Sequence, residues 1–275
     1  MAPTWLTTVA WFYLGVCFVC TAAITYDIFF NRRRQPMGVM DAVYPITALY
    51  LGPFALAFYW RWARSPARPA RGPNPTSGSA EPQMASAPHM ALATGGHDDV
   101  PARDDMVDAV GSRAEHEPGP VLERAKPRWV TMAIEVSHCG SGCALGDLIA
   151  EWVIFALALT VAGHTLLAEY LGDYALALAL GILFQYFAIA PMQGLGVKDG
   201  LIAAAKADFI SLSCFEIGLF GWMALMAFVY FPAPHHLLPS SAAYWFLMQI
   251  GMIIGFFTSW PANVWLVNRG IKVPM

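Results

Sequence analysis

Residues 137–168, SHCGSGCALGDLIAEWVIFALALTVAGHTLLA, set two thiols, an imidazole and a carboxylate at the head of a long, mostly apolar run. A run of this length and composition reads as a membrane-spanning helix, because a hydrocarbon core about 30 Å thick is crossed by about 20 apolar residues. Polar groups placed against hydrocarbon without partners cost several kcal/mol, so soft sulfur and nitrogen at such a boundary point to metal or redox chemistry.

Working outward, six runs of this kind occur, at about 5–30, 41–60, 144–168, 174–192, 209–231 and 242–267. None alternates like a barrel strand. The expected fold is an all-α integral membrane protein of about six transmembrane helices. Composition agrees: 275 residues, 57% hydrophobic and 13% charged, with a mean hydropathy of +0.49, carry more apolar surface than one soluble core hides. A net charge of −3 with basic residues only at span ends gives nucleic acid no binding stripe. The first run has no basic segment before it and Arg32, Arg33 and Arg34 after it, so it reads as a retained helix, not a cleaved signal peptide. A bacterial inner (plasma) membrane is the expected location, with the bilayer itself as a partner.

Residues 63–127 change character: RSPARPARGPNPTSGSAEP is followed by Asp98, Asp99, Asp104, Asp105 and Asp108. This composition predicts a disordered polar linker between an N-terminal hairpin, 1–62, and a four-helix module, 128–275. Met84, Met90, Met106, His89, His97 and His116 lie in it, a combination that can bind soft metal ions weakly, but their irregular spacing favours the plain reading of a polar tail. Basic residues near span ends set orientation. In a six-helix arrangement Arg61, Arg64, Arg68, Arg71, Arg124, Lys126, Arg128, Lys198, Lys206, Arg269 and Lys272 share one side, which places both termini, the linker and the 193–208 loop in the cytoplasm. The Arg32 to Arg34 cluster falls on the other side and conflicts with this.

If the third helix begins near Cys139, then Cys139, Cys143, Asp147 and Glu151 follow at four-residue intervals and stack along one slowly drifting face. Ser137 then becomes an N-cap, and a helix N-terminus favours the thiolate that binds metals. Gly140, Gly142 and Gly146 remove bulk, so a neighbouring backbone can approach. The CxxxC spacing with a preceding His is neither the CxxC of thioredoxin-type sites nor the CxxCH of haem attachment. The expected metal ligands are His138, Cys139, Cys143 and Asp147; the alternative is a small-residue packing face whose cysteines act as small hydrophobes.

Further polar groups extend the constellation. Glu216 lies well inside the fifth run, with Asp208 two turns earlier and Cys214 beside it, and an intramembrane glutamate is a functional candidate. Its alternative role is to pair with Gln249. Glu216 is expected to exchange its proton for an incoming cation. Gln185 and Met192 share a face of the fourth run, and Pro191 ends or kinks it. Met248 and Met252 stand one turn apart, suited to Cu(I) or to plain packing. Asn263 completes the translocation set with Glu151, Asp208 and Gln249. His164 reads as interfacial, adjacent His235 and His236 point apart, and Cys17 and Cys20 read as packing. No nucleotide-binding loop, HExxH, nucleophile elbow or dinucleotide fingerprint occurs, which argues against an ATP-driven pump and a soluble-type hydrolase.

SHCGSGCALGDLIAEW, GILFQYFAIAPMQGLG, KADFISLSCFEIGLFGWMA and YWFLMQIGMIIGFFTSWPANVWLVNRGIKVPM, in that order, resemble the multi-pass membrane proteins of the domain of unknown function 4396 family over about 129–275. The resemblance implies a compact helical module and marks His138, Cys139, Cys143, Asp147, Gln185, Met192, Glu216, Gln249, Trp260, Pro261 and Asn263 as positions matching the family pattern. It implies no activity. The expected function is therefore binding or translocation of a soft transition-metal cation, copper first, as the ligand or cargo. A membrane redox enzyme using the cysteine pair or a bound haem, flavin or quinone is the alternative, and a membrane assembly factor or scaffold the third. Gly-rich faces suit a helix partner or a homo-oligomer.

Overall fold

The computed structural model describes residues 2–66, 126–232 and 235–272, with the side chains of all of these except 190–193. The expected linker lies almost wholly outside the described residues, as do Met84, Met90, Met106, His89, His97 and His116, and the side chain of Met192. Among the described residues the structure is all-helical, with only an isolated bridge between Val161 and His164.

Five helices are long and apolar enough to cross a membrane. These are α1 (Thr4–Phe29), α4 (Arg128–Leu157), α5 (Thr165–Gln193), α6 (Val197–Leu225, continued by a π-helical turn to Tyr230) and α7 (Ala242–Asn268). The sixth expected span, 41–60, is broken into α2 (Met40–Leu51) and α3 (Pro53–Phe58), the latter continued by a π-helical turn, Tyr59–Ala63. Gly52 takes φ +54, and Pro53 starts α3 at the one helical position where its missing N–H costs nothing.

The two pieces form a helical hairpin that enters and leaves on the same side. Tyr50, at the tip, accepts at its carbonyl a 2.7 Å hydrogen bond from the Tyr13 hydroxyl, halfway up α1. Past Gly52 the chain returns until Tyr59 and Arg64 bond the carboxylate of Asp27 at 3.1 and 2.7 Å, at the far end of α1. Twelve residues rise about 18 Å, too short to cross. Apolar content had made 41–60 look like a span; the chain reversal at Gly52 decides otherwise.

The hairpin also removes the conflict over basic residues. Arg33 donates to the Ser65 carbonyl, Trp62 packs edge-on against Trp129, and Arg128 bonds Asn268, so Arg32 to Arg34, Arg61, Arg64, Arg128, Arg269 and Lys272 gather at one end of the bundle. At the opposite end Leu6 of α1 packs with Met226 and Ala243, and loops 158–164 and 231–241 contain no Lys or Arg. The start of α1 packs beside the start of α7, so the start of α1 and the end of α7 lie at opposite ends of the bundle.

Helix limits differ from the apolar runs in one direction. The third run, 144–168, is helical over Arg128–Leu157 and stops at Ala158, whose φ is +49; the fourth begins at Thr165 and the fifth at Val197. Each gained segment carries polar residues, such as Glu135, Asp173 and Asp208, that hydropathy discounts and that the fold buries inward. The outer surface is the reverse, with Trp11, Phe12, Phe18, Ile217, Phe228 and Phe257 exposed.

Helix α4 is the axis of the bundle and packs against α2, α5, α6 and α7. Residues 132–144 are buried without interruption. Its glycines face neighbours: a Cβ at Gly142 would lie 2.6 Å from the Gly181 Cα of α5, and one at Gly140 would lie 2.8 Å from the Tyr50 hydroxyl. The first 66 residues pack directly on this module, for Gln249 of α7 donates a 2.6 Å hydrogen bond to the Leu49 carbonyl and Tyr13 packs edge-on against Phe246.

Candidate functional site: a file of buried ionisable groups

Because α4 starts at Arg128, the cysteines lie in its interior and not at a helix mouth. Ser137 caps nothing; its carbonyl accepts the Ser141 hydroxyl at 2.7 Å. Cys139 therefore stands well past the first turn of α4, out of reach of the helix N-terminus. The earlier start has a gain, since the four-residue stripe extends back one step to Glu135, making Glu135, Cys139, Cys143, Asp147 and Glu151. Each step drifts by about 40° around the axis. All five are nonetheless buried, because neighbours cover α4 on nearly every side.

At the basic end the stripe meets Lys272. Its ammonium lies 3.4 Å from Glu135, 3.6 Å from Asp208 of α6 and 3.0 Å from the Asn263 Oδ1 of α7, to which it donates. Asn263 in turn donates to Ser211 at 2.6 Å. Burial alone disfavours the charged ammonium, but the carboxylates of Asp208 and Glu135 outweigh it and hold the lysine pKa above its ordinary value.

One turn inward, His138 sits beside Gln185 and against the Phe184 ring, while Cys139 turns toward Tyr50 and Cys214. Adjacent helical residues diverge, so the imidazole and the first thiol do not face one point. Cys143 is close to Cys139, Glu216 and Asp147. Asp147 adjoins Glu216, Asp173 of α5 and Glu151, and Glu151 adjoins Glu169 and Tyr244. Glu169 and Tyr244 line a cavity of about 630 Å³ that also touches His164, Tyr170 and His236, away from the basic end. The polar groups thus follow one another from Lys272 to this cavity.

Few of them are satisfied by the protein. Both nitrogens of His138, both amide atoms of Gln185 and both carboxylate oxygens of Asp147 and Glu216 take part in no hydrogen bond, and all four residues are buried. Unpartnered buried polar groups are expensive, and native structures keep them where a function uses them.

The sequence-expected residues divide accordingly. The file contains Cys139, Cys143, Asp147, Glu151, Asp208, Glu216 and Asn263, with His138 and Gln185 at its side. Gln249 pairs with Leu49 and not with Glu216. Met248 and Met252 belong, with Cys139 and Cys143, to one buried cluster around Phe215 and Tyr50. His164 and His236 are exposed, and Cys17 and Cys20 are buried in packing, with all five cysteines free thiols. Sequence reading missed Glu135, Asp173, Glu169, Tyr244 and Lys272. Glu135 carried a legible signal, the same four-residue spacing; the others come from α5, α7 and the turn after α7, and only packing brings them in.

Among the described residues, no three His, Cys, Asp or Glu side chains converge as a metal-holding group. Two thiols one helical turn apart, Cys139 and Cys143, share one apolar cluster with the thioethers of Met248 and Met252.

The family model described as "Domain of unknown function (DUF4396)" matches residues 128–272. No curated protein and no solved structure matches the chain.

Proposed function

We infer the function from the polar file itself, because the chain belongs to the DUF4396 family, whose description assigns no activity. The reading is a membrane-embedded protein that binds and translocates a soft transition-metal cation, copper first, along the file from Lys272 to the cavity. Cys139 and Cys143 would hold the metal, with Met248 and Met252 near them. Asp147, Glu216, Asp173 and Glu151 would pass it on and exchange protons for it. The observation that supports this most is the run of buried, unpartnered carboxylates of Asp147 and Glu216 beside two thiols. Carboxylates at such depth pair with something, and a passing cation or proton is the partner that leaves them unpaired between passages. The basic end is assigned to the cytoplasm, since Lys and Arg gather on that side of spans.

Purified full-length protein in detergent is expected to bind Cu(I) at a stoichiometry near one per chain. The double variant Cys139→Ser, Cys143→Ser is expected to lose this binding while keeping its elution volume and Tm. Undiminished binding in that variant would remove the reading.

The cavity favours a second reading, a membrane redox enzyme. Its volume is within the range of small-molecule and cofactor sites, and His164, Thr165, Glu169, Tyr170, His236 and Tyr244 supply polar groups among an apolar lining. An absorbance spectrum separates the two: haem or flavin bands in the pure protein would favour the enzyme, and a colourless protein carrying copper the transporter.

A further inference from the structure

The cavity opposite the basic end is bounded by the start of α5, the last turns of α6 and the start of α7. At about 630 Å³ it has room for a small organic molecule. Leu166, Met223, Met226 and Leu247 give it an apolar wall. Phe228 and Leu238 also line it and are 69% and 53% exposed, so it reaches the outer surface of the bundle. Tyr170 is fixed in the wall, for its hydroxyl donates to the Phe220 carbonyl at 2.8 Å and its ring stacks on Phe220 at 4.4 Å.

Its charge is one-sided. Glu169 of α5 is in the lining, and Glu151 of α4 adjoins both Glu169 and Tyr244. Among the described residues no Lys or Arg lines the cavity, and loops 158–164 and 231–241 carry none. The ion pairs among the described residues engage Asp27, Asp41, Glu135 and Asp208, so neither Glu169 nor Glu151 is paired, with His164 or His236 or with any other side chain. Tyr244 is 5% exposed and Glu151 2%, yet the hydroxyl of the first and Oε2 of the second take part in no hydrogen bond. Carboxyls within a membrane bundle serve as counter-ions to ligands, and an arriving cation takes the place of the proton that otherwise neutralises them. Aromatic faces attract organic cations in the same way. A bare metal ion, in contrast, needs several ligand atoms within about 2.5 Å and leaves such a volume unfilled.

We propose that this cavity is a binding site for a lipophilic organic cation, an onium or protonated amine with an apolar body, and that Glu169 is its counter-ion. The rings of Tyr170 and Tyr244 flank the charge, Glu151 adds a second negative group beside it, and the leucine and methionine wall takes the apolar body. A ligand of this kind reaches the cavity from the bilayer, through the exposed edge at Phe228. The thiols take no part, so the site stands or falls separately from copper binding, and it needs no redox cofactor.

The test uses the purified full chain in detergent and two ions of the same shape and opposite charge, tetraphenylphosphonium and tetraphenylborate, in equilibrium dialysis against protein-free micelles. Wild type is expected to bind the phosphonium at a single saturable site, above its partition into micelles, and to show no such site for the borate. Glu169→Gln keeps the volume, removes the charge, and should weaken phosphonium binding about tenfold or more. Ala227→Trp leaves every carboxyl in place and fills the cavity, so it should abolish binding too, and it reads the site if Glu169→Gln does not fold. The comparison of the two ions in wild type needs no variant. Equal uptake of both ions, no saturable phosphonium binding, or binding that survives either substitution overturns the inference.

Discussion

Gly146→Leu is expected to yield little or no folded protein after detergent extraction, the largest stability effect of any single substitution considered for this chain. A Cβ at this position would lie 2.6 Å from the Cα of Ala177, and that neighbour is backbone, which cannot turn aside as a side chain can. Overpacking a core that can adjust costs about 1–3 kcal/mol. Here α4 and α5 would have to separate along the interface that also holds Asp147 and Asp173, so the cost should exceed that range. Gly142→Leu meets Gly181 in the same way and should behave alike. Gly221→Leu is the control, with nothing within 4 Å of its Cβ position, and should retain the wild-type elution profile and Tm. A Gly146→Leu protein as stable as that control would show that the two helices do not touch there.

Glu216→Gln is expected to leave Cu(I) binding in place while removing the proton exchange that accompanies it. The thiols of Cys139 and Cys143 are untouched by this change, and glutamine preserves the volume of the buried side chain. It has no proton to give up when a cation arrives, whereas the carboxyl does. Titration calorimetry in buffers of different ionisation enthalpy counts the protons released per metal, and the count should fall by the share of the glutamate. In metal-loaded proteoliposomes the same variant should be nearly inactive in transport. Asp147→Asn should resemble it. The double variant should be no worse than either single one, since groups acting in one file are strongly non-additive. An unchanged proton count in Glu216→Gln would mean that this carboxyl only packs, and additive losses would mean that the two do not share a path.

How much of this was legible beforehand depends on the kind of interaction. Apolar runs long enough to cross a bilayer identify helices, because in hydrocarbon the backbone must satisfy its own hydrogen bonds. Five of the six expected spans are therefore helices long and apolar enough to cross a membrane, and the described residues are all-helical. The stripe from Cys139 to Glu151 was readable because four-residue spacing is a local property of one helix. Helix starts were not readable from hydropathy, since Glu135, Asp173 and Asp208 count against a span in any window average.

By itself, then, the sequence determined the helical class, the four-residue spacing that sets Cys139, Cys143, Asp147 and Glu151 on one stripe, and the small residues that let α4 and α5 meet. Tertiary structure alone decided that 40–64 turns back at Gly52, which put Arg32 to Arg34 at the same end of the bundle as Arg64, Arg128 and Arg269. It alone carried Lys272 to Glu135 and Asp208, and gathered Asp173, Glu169 and Tyr244 at the opposite end of the file. The physical reason is range. Spacing along one helix follows from the pitch of the backbone, whereas a partner on another helix, or beyond a turn, is chosen by how whole surfaces pack. A lysine 137 residues from its glutamate leaves no periodic trace.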